Sequence, residues 1–214
     1  MTTKKEVRTF HLENLNIEKR EAGSPKIIGY AAVFGVETEI GNLFAERIAK
    51  GAFRRAIREK QDVRALFNHD SDYVLGRSKA GTLSMTEDDR GLKVEIDPPD
   101  TQLARDTLVL IERGDLDGMS FAFTVKKQEV LNREGALPLR TILDVDLYDV
   151  SVVTFPAYEQ TDVNVRSAEE ILAEIKLDNV TPEESAPEVK EPDQNTELDL
   201  DYLTKKLDLL ELDK

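Results

Sequence analysis

The amino-acid sequence predicts a β-rich α+β domain, followed by a disordered acidic linker and a short amphipathic helix at the C-terminus. Short apolar runs bounded by Gly or other turn residues recur along the body of the chain, whereas few segments show helical spacing of apolar residues. Acidic residues and prolines accumulate near the C-terminus, where apolar residues become scarce. We place the domain at residues 1–178, the linker at 179–197 and the C-terminal helix at 198–214.

The first part of the domain is predicted to hold a helix with one strand before it and one strand after it. Lys26–Gly35 is a short apolar run closed by Gly, which is typical of a buried strand. Between Phe44 and Glu59 the apolar residues fall on one side at helical spacing, which predicts a helix. From Val63 to His69 apolar residues alternate, which predicts a strand that presents His69 at its end and is followed by a polar loop.

The next segment is predicted to form a hairpin and then a helix. Apolar residues alternate on both sides of a polar turn within Leu83–Ile96, as in an antiparallel pair of strands. After two prolines, Asp100 or Thr101 is a suitable N-cap for a helix that runs through Arg113, and Gly114 is a typical C-terminal stop.

The last part of the domain is predicted to return to strands. Met119–Val125 carries large apolar residues at alternate positions, which predicts a strand with Ser120 on the opposite face. Leu139–Thr154 is long enough for a bent strand or a broken pair of strands. A capping box at Ser167–Glu170 predicts a short helix that ends near Leu177.

The C-terminal residues differ in composition from the body. The chain has 214 residues and a formal charge of −14, of which −10 belongs to residues 168–214 and −4 to the rest. Residues 181–195 hold three Pro and five acidic residues, which predicts a disordered linker. Within 198–212 a leucine stripe predicts a helix. It is either a helix that docks on a partner or a marginal helix on a disposable tail.

Charge and composition exclude several kinds of partner and site. Nucleic-acid binding needs clustered Lys and Arg to contact the phosphates, whereas this chain is acidic. We therefore expect no nucleic acid as partner. No apolar run reaches the length of a membrane-spanning helix, so we expect no membrane partner. The chain has no cysteine, which excludes a disulfide framework, a thiolate metal site and a cysteine nucleophile. Because the chain also has just two histidines and no Gly-rich phosphate-binding loop, we expect no metal and no cofactor.

Two histidines are the imidazoles that could act as a general base near neutral pH. His11 lies in a polar N-terminal stretch, where we expect a surface role. His69 lies at a predicted strand end, where a scaffold displays reactive groups, although a structural role stays open. Ser120 is the candidate nucleophile, and its alternative role is to fill a tight position beneath a sheet. Asp144, Asp146 and Asp149 are candidate carboxylates for orienting a histidine, and their spacing does not choose among them.

A series of short motifs resembles a known family. In order along the chain they are Gly29–Gly35, Glu46–Phe53, Leu66–Asp70, Val74–Arg77, Gly91-Leu followed by Asp97, Gly118–Phe121 and Asp149–Ala157. Together they resemble the prohead protease family of tailed bacteriophages, of the HK97 type, over about residues 8–166. The family is distantly related to the herpesvirus assemblins. The resemblance implies a closed or partly closed β-barrel flanked by helices.

The resemblance also implies an activity and the residues that perform it. It implies a serine endopeptidase that removes the scaffolding segment of the phage major capsid protein and then cleaves itself, inside the immature capsid in the host cytoplasm. It assigns Ser120 as the nucleophile, His69 as the base and Asp149 as the orienting acid, with Asp144 or Asp146 as alternatives. We expect a homo-oligomer. The competing function is a non-catalytic capsid assembly or scaffolding protein with a structural barrel.

Overall fold

The computed structural model describes residues 5–11, 15–19, 25–155, 169 and 171–173. Within these residues the chain forms eleven strands in two sheets, two complete α-helices, one short 3-10 turn and a few further helical residues near position 170. The prediction of a β-rich α+β fold is therefore confirmed. The predicted linker at 179–197 and the predicted C-terminal helix at 198–214 lie outside the described residues, and the helix predicted from Ser167 is described only at Glu169 and Ile171–Ala173, which are helical.

The strands and helices follow one another in a mixed order. They are β1 (Glu6–His11), β2 (Asn16–Glu18), β3 (Lys26–Val33), β4 (Thr38–Ile40), β5 (Phe44–Ile48), α1 (Arg54–Arg58), β6 (Arg64–Phe67), β7 (Asp70–Arg77), β8 (Leu83–Glu87), β9 (Gly91–Ile96), α2 (Gln102–Arg113), β10 (Gly118–Leu131) and β11 (Leu139–Val153). The larger sheet has seven strands, with the order β1-β10-β11-β5-β4, and β6 joins it by pairing with both β11 and β7. The smaller sheet has the order β2-β3-β9-β8.

Both sheets contribute to one hydrophobic core. Its largest buried side chains include Phe53 of the loop before α1 and Phe121 and Phe123 of β10. The rings of Phe121 and Phe123 stack with their centroids 4.7 Å apart, and Phe53 packs edge-on against Phe121 at 5.4 Å. The resemblance implied a closed or partly closed β-barrel. The pairing of the described strands does not close either sheet, so no closed barrel is found in this part of the chain.

Several predicted elements are confirmed. The strand from Lys26 is β3, and the predicted hairpin is the β8–β9 pair. The predicted second helix is α2, in which the Thr101 hydroxyl accepts a hydrogen bond from the Ala104 amide at 3.3 Å. Gly114 ends this helix in the left-handed conformation, at a φ of 80°, which only glycine adopts without cost.

The helix predicted over Phe44–Glu59 is wrong in its first half. Phe44–Ile48 forms β5, and the α-helix covers only Arg54–Arg58. β5 lies between β4 and β11, and four of its five residues are buried. Because both faces of this strand are covered, its apolar residues do not alternate, and their spacing was indistinguishable from that of a helix.

The segment Leu139–Thr154 forms one continuous strand, β11, instead of a broken pair. It runs antiparallel to β10 along nearly its whole length, with three shifts of register. The first residues of β11 pair with β5 and the last with β6, and both pairings are parallel. One end of β11 therefore lies beside β5 and the other end beside β6. Asp149 is at the end beside β6.

The N-terminal strand β1 was not predicted. It pairs antiparallel with β10 at the edge of the larger sheet, with Thr9 opposite Ser120 and His11 opposite Gly118. The side chain of His11 is outside the described part of the chain, so its surface role stays a prediction.

A cluster of four charged side chains fastens β1 to the sheet. Arg140 of β11 donates to Glu6 and to Glu46, each at 2.8 Å, and its side chain is 2% exposed. Arg8 donates to Glu46 at 2.5 Å and to Glu6 at 2.7 Å. Burial alone would raise the pKa of Glu6, but the hydrogen bonds and charges of Arg140 and Arg8 hold this pKa below its ordinary value. Glu6 is therefore ionised at neutral pH, and each carboxylate of the cluster contacts two guanidinium groups.

Substitution of Arg140 by methionine is expected to lower the free energy of unfolding by about 3 kcal/mol or more, because it leaves the two buried carboxylates of Glu6 and Glu46 with a single counter-charge, that of Arg8. Urea unfolding of the full chain followed by circular dichroism measures the change. The matched control is Arg113→Met, which removes an exposed ion pair with Asp115 at 3.0 Å. We expect the control to change stability by less than about 1 kcal/mol. Equal effects of the two substitutions would contradict the importance of the buried cluster.

Candidate active site

Three hydroxyl side chains form a row across the larger sheet. Ser120 of β10 lies directly opposite Thr9 on one side and Ser151 of β11 on the other. Ser120 and Ser151 are both fully buried. Met119 and Phe121, the neighbours of Ser120 in sequence, face the hydrophobic core, so Ser120 lies on the opposite face of the strand, as alternation predicts.

His69 reaches this row from a tight turn. β6 ends at Phe67 and β7 begins at Asp70, and these two residues are paired. Asn68 and His69 form the two-residue connection, with φ angles of 52° and 59°. The predictions of a strand extending to His69 and of a polar loop after it are therefore wrong. The chain instead reverses through two left-handed residues, the geometry that matches the twist of a hairpin, and continues as a polar strand.

The turn is held against the end of β11. The amide of Asn68 donates to the Val152 carbonyl at 2.9 Å, and the side-chain oxygen of Asn68 accepts from the Thr154 amide at 2.9 Å. Asparagine tolerates the left-handed conformation better than most residues, and here its side chain also contributes a bond. The parallel pairing of β6 with the last residues of β11 thus delivers the His69 ring to the hydroxyl row.

The His69 ring bridges a hydroxyl and a carboxylate. Its Nε2 lies 2.6 Å from Ser120 Oγ, and its Nδ1 lies 2.5 Å from Asp149 Oδ1. Ser120 Oγ also lies 2.9 Å from the carbonyl oxygen of Arg8, to which it can donate, and it accepts from Thr9 Oγ1 at 3.0 Å. A serine, an imidazole and a carboxylate joined in this order are suited to nucleophilic acyl transfer.

Asp149 is buried, with 3% of the residue exposed, and is held by several groups. Besides His69, the hydroxyl of Ser151 donates to its Oδ1 at 3.1 Å, and Lys5 Nζ lies 3.0 Å from its Oδ2. Burial would raise the pKa of Asp149, but the hydrogen bonds and charges of His69 and Lys5 together bring this pKa below its ordinary value. The carboxylate is therefore ionised at neutral pH.

The other two candidate carboxylates lie in a different cluster. Asp144 accepts from Arg55 Nε at 2.8 Å. Asp146 accepts from Arg55 at 2.7 Å, from Gln61 at 2.7 Å and from Lys126 at 2.9 Å. Although burial opposes ionisation, these three partners lower the pKa of Asp146 to about 2. The structure therefore brings Ser120, His69 and Asp149 together and places Asp144 and Asp146 against α1.

Sequence reasoning missed the residues that surround the three. Ser151 follows Asp149 by two positions, so strand alternation could have placed both on the same face. Thr9 lies in β1 and Lys5 immediately precedes it. Neither had a sequence signal for a place in the site, because β1 is largely polar and was not predicted as a strand. Within the described ranges, no group of His, Asp and Glu side chains is arranged to hold a metal ion. None of the helices in the described part of the chain is long and apolar enough to span a membrane.

Comparison with known proteins identifies the family of the chain. A family model described as caudovirus prohead serine protease matches residues 13–174, more than half of the chain. No curated protein matches the chain significantly. Among solved structures, the capsid assembly protease of bacteriophage T4, gp21, aligns with 73% of this chain and all of its own, at 12% identity and a TM-score of 0.47. The chain belongs to the caudovirus prohead serine protease family and is a serine protease.

Proposed function

We propose that the chain is a capsid-maturation endopeptidase that acts through Ser120, His69 and Asp149. The observation that supports this best is the unbroken path from the Asp149 carboxylate through the His69 ring to the Ser120 hydroxyl. A serine hydroxyl is a weak nucleophile until an adjacent base takes its proton, and the base must itself be oriented. His69 and Asp149 stand in the positions that these two tasks require.

In the proposed reaction Ser120 Oγ attacks the carbonyl carbon of the scissile peptide while His69 Nε2 takes its proton. The imidazolium then gives that proton to the leaving amine. Asp149 keeps Nδ1 protonated, which leaves Nε2 free to act as a base, and its negative charge stabilises the imidazolium. A water molecule next attacks the acyl-enzyme with His69 again as base, which releases the second product and restores Ser120.

The Ser120 hydroxyl has a competing acceptor in the carbonyl of Arg8. Its one proton can satisfy either Arg8 or His69, so the reactive arrangement is the one in which it points to His69 Nε2. Ser120 is also fully buried. A substrate carbonyl therefore reaches Oγ only after the groups that cover it have moved, which makes substrate binding a step that rearranges the site.

The proposed substrate is the scaffolding segment of the phage major capsid protein, followed by the protease chain itself. We propose that the enzyme works as a homo-oligomer inside the immature capsid, in the host cytoplasm. Membership of a prohead serine protease family supports this setting. The formal charges of −4 on residues 1–167 and −10 on residues 168–214 are the basis for proposing no nucleic-acid partner.

Covalent labelling with a fluorophosphonate tests the role of Ser120. This reagent reacts with activated serines: the oxygen–phosphorus bond forms, the phosphorus–fluorine bond breaks, and the base accepts the hydroxyl proton. We expect one adduct per chain, located on Ser120 by peptide mass spectrometry. Ser151 is equally buried and also near His69, at 3.3 Å from Nδ1, so it is the internal comparison. An adduct on Ser151, or none on a folded chain, would contradict the proposal.

A further inference from the structure

The carboxylate of Asp149 has one oxygen that the proposed reaction does not use. Oδ1 faces His69, whereas Oδ2 lies 3.0 Å from the ammonium group of Lys5. Resting on the proposed function, we propose that Lys5 is a positioning residue, which holds Oδ2 and so fixes the orientation in which Oδ1 meets His69. Lys5, which immediately precedes β1, would then be part of the catalytic assembly.

The backbone of Lys5 is held in place by its attachment to β1. Lys5 immediately precedes Glu6, the first residue of that strand. Arg140 grips the Glu6 carboxylate with two nitrogens, at 2.8 and 2.9 Å. Such a bidentate pair fixes the direction as well as the position of its partner. Lys5 is therefore attached to a strand that is locked by buried charges.

The ammonium group of Lys5 also has a second neighbour on β11. It lies 5.7 Å from the centroid of the Tyr148 ring, a cation–π distance, and Tyr148 is the residue before Asp149. The Tyr148 hydroxyl is itself 3.2 Å from Thr124 Oγ1 of β10. Two successive residues of β11 thus contact one lysine side chain, which restrains it although 52% of it is exposed.

Lys5 also changes the charge that His69 experiences. Asp149 contacts Lys5 and the His69 ring, and Arg64 of β6 is opposite it in register. Asp70, the first residue of β7, follows His69 in sequence. Arg64 lies 3.4 Å from Asp62 and is engaged there. Lys5 offsets part of the negative charge of Asp149. Without Lys5 that charge would not be offset, and the attraction between Asp149 and a protonated His69 ring would be stronger.

The test compares Lys5→Met and Lys5→Arg in the full chain, using the rate of fluorophosphonate labelling as a function of pH at low salt. For Lys5→Met we expect the acidic limb of the profile to move upward by about half a pH unit. We expect the rate on the plateau to fall by about two- to fivefold, as for the loss of a partly exposed ion pair. Lys5→Arg keeps the charge and should leave the limb in place. Added salt should reduce the difference between the variants.

The matched control is Lys126→Met, which removes a lysine that lies 2.9 Å from Asp146, away from His69. It should leave the limb unchanged. A folding defect alone would lower the rate equally at all pH values, and thermal unfolding of each variant checks this. The positioning role would be overturned if the acidic limb of Lys5→Met coincided with that of the wild type. It would also be overturned if Lys5→Arg moved the limb as far as Lys5→Met does. Labelling of Ser120→Ala at the wild-type rate would instead overturn the proposed function itself.

Discussion

Replacement of Ser120 by alanine is expected to lower the rate of peptide cleavage by at least about four orders of magnitude. The substitution removes the atom that would form the acyl-enzyme, and neither His69 nor Asp149 can replace it. The chain should be expressed alone and together with the capsid protein of the same phage, and the intact mass of both proteins followed with time. We expect processed masses from the wild type and full-length masses from Ser120→Ala.

The control for this experiment is Ser84→Ala, which changes an exposed serine of β8 in the smaller sheet. It should be processed as the wild type is. Cleavage of Ser120→Ala at the wild-type rate would remove Ser120 from the mechanism. If the wild type stays full length even with the capsid protein present, neither protein is a substrate under these conditions and the proposed substrates are wrong.

Replacement of Asp149 by asparagine is expected to lower the cleavage rate by about 10³- to 10⁴-fold while the chain stays folded. An amide has nearly the shape of the carboxylate but carries no charge, so the imidazolium loses its stabilisation. The amide nitrogen can also donate to Nδ1, which places the imidazole proton on Nε2, where it cannot accept the proton of Ser120. The pH dependence has a definite sign: the pKa of Asp149 is lowered, so its charge is present throughout the neutral range and is lost only in acid.

Asp146→Asn is the matched control for this prediction, because it makes the same chemical change three residues earlier in β11. Asp146 bonds to Arg55, Gln61 and Lys126 and has no described contact with His69. We expect it to affect stability more than cleavage. A large loss of activity in Asp146→Asn with full activity in Asp149→Asn would move the orienting role from one aspartate to the other.

Much of the scaffold could be predicted because local rules decide it. α2 has a hydroxyl N-cap at Thr101 and a glycine stop at Gly114, and the β8–β9 hairpin alternates on both sides of its turn. Elements that depend on distant partners could not be predicted. β5 is covered on both faces, and β1 is held by an ion pair with Arg140, which is far along the chain. The start of β7 is exposed and polar, so its apolar residues do not alternate.

The chemistry of the site was more predictable than its geometry. Ser120 and His69 could be selected because the chain has no cysteine and two histidines. Spacing could not choose among Asp144, Asp146 and Asp149, since the choice depends on which end of β11 pairs with β6. Nor could spacing reveal that His69 lies in a left-handed turn, because asparagine and histidine occur in many other conformations.

The larger sheet joins the two ends of the domain, and this affects when the site can exist during synthesis. Lys5 and Thr9 emerge from the ribosome first, whereas Ser120, Asp149 and Ser151, with which they share the site, emerge much later. A nascent chain that stops before β11 has neither the carboxylate nor the strand against which the His69 turn is held. Contacts between residues so far apart in sequence also form slowly. The proposed site is therefore a property of the completed domain, and we expect a chain that stops before β11 to have no protease activity.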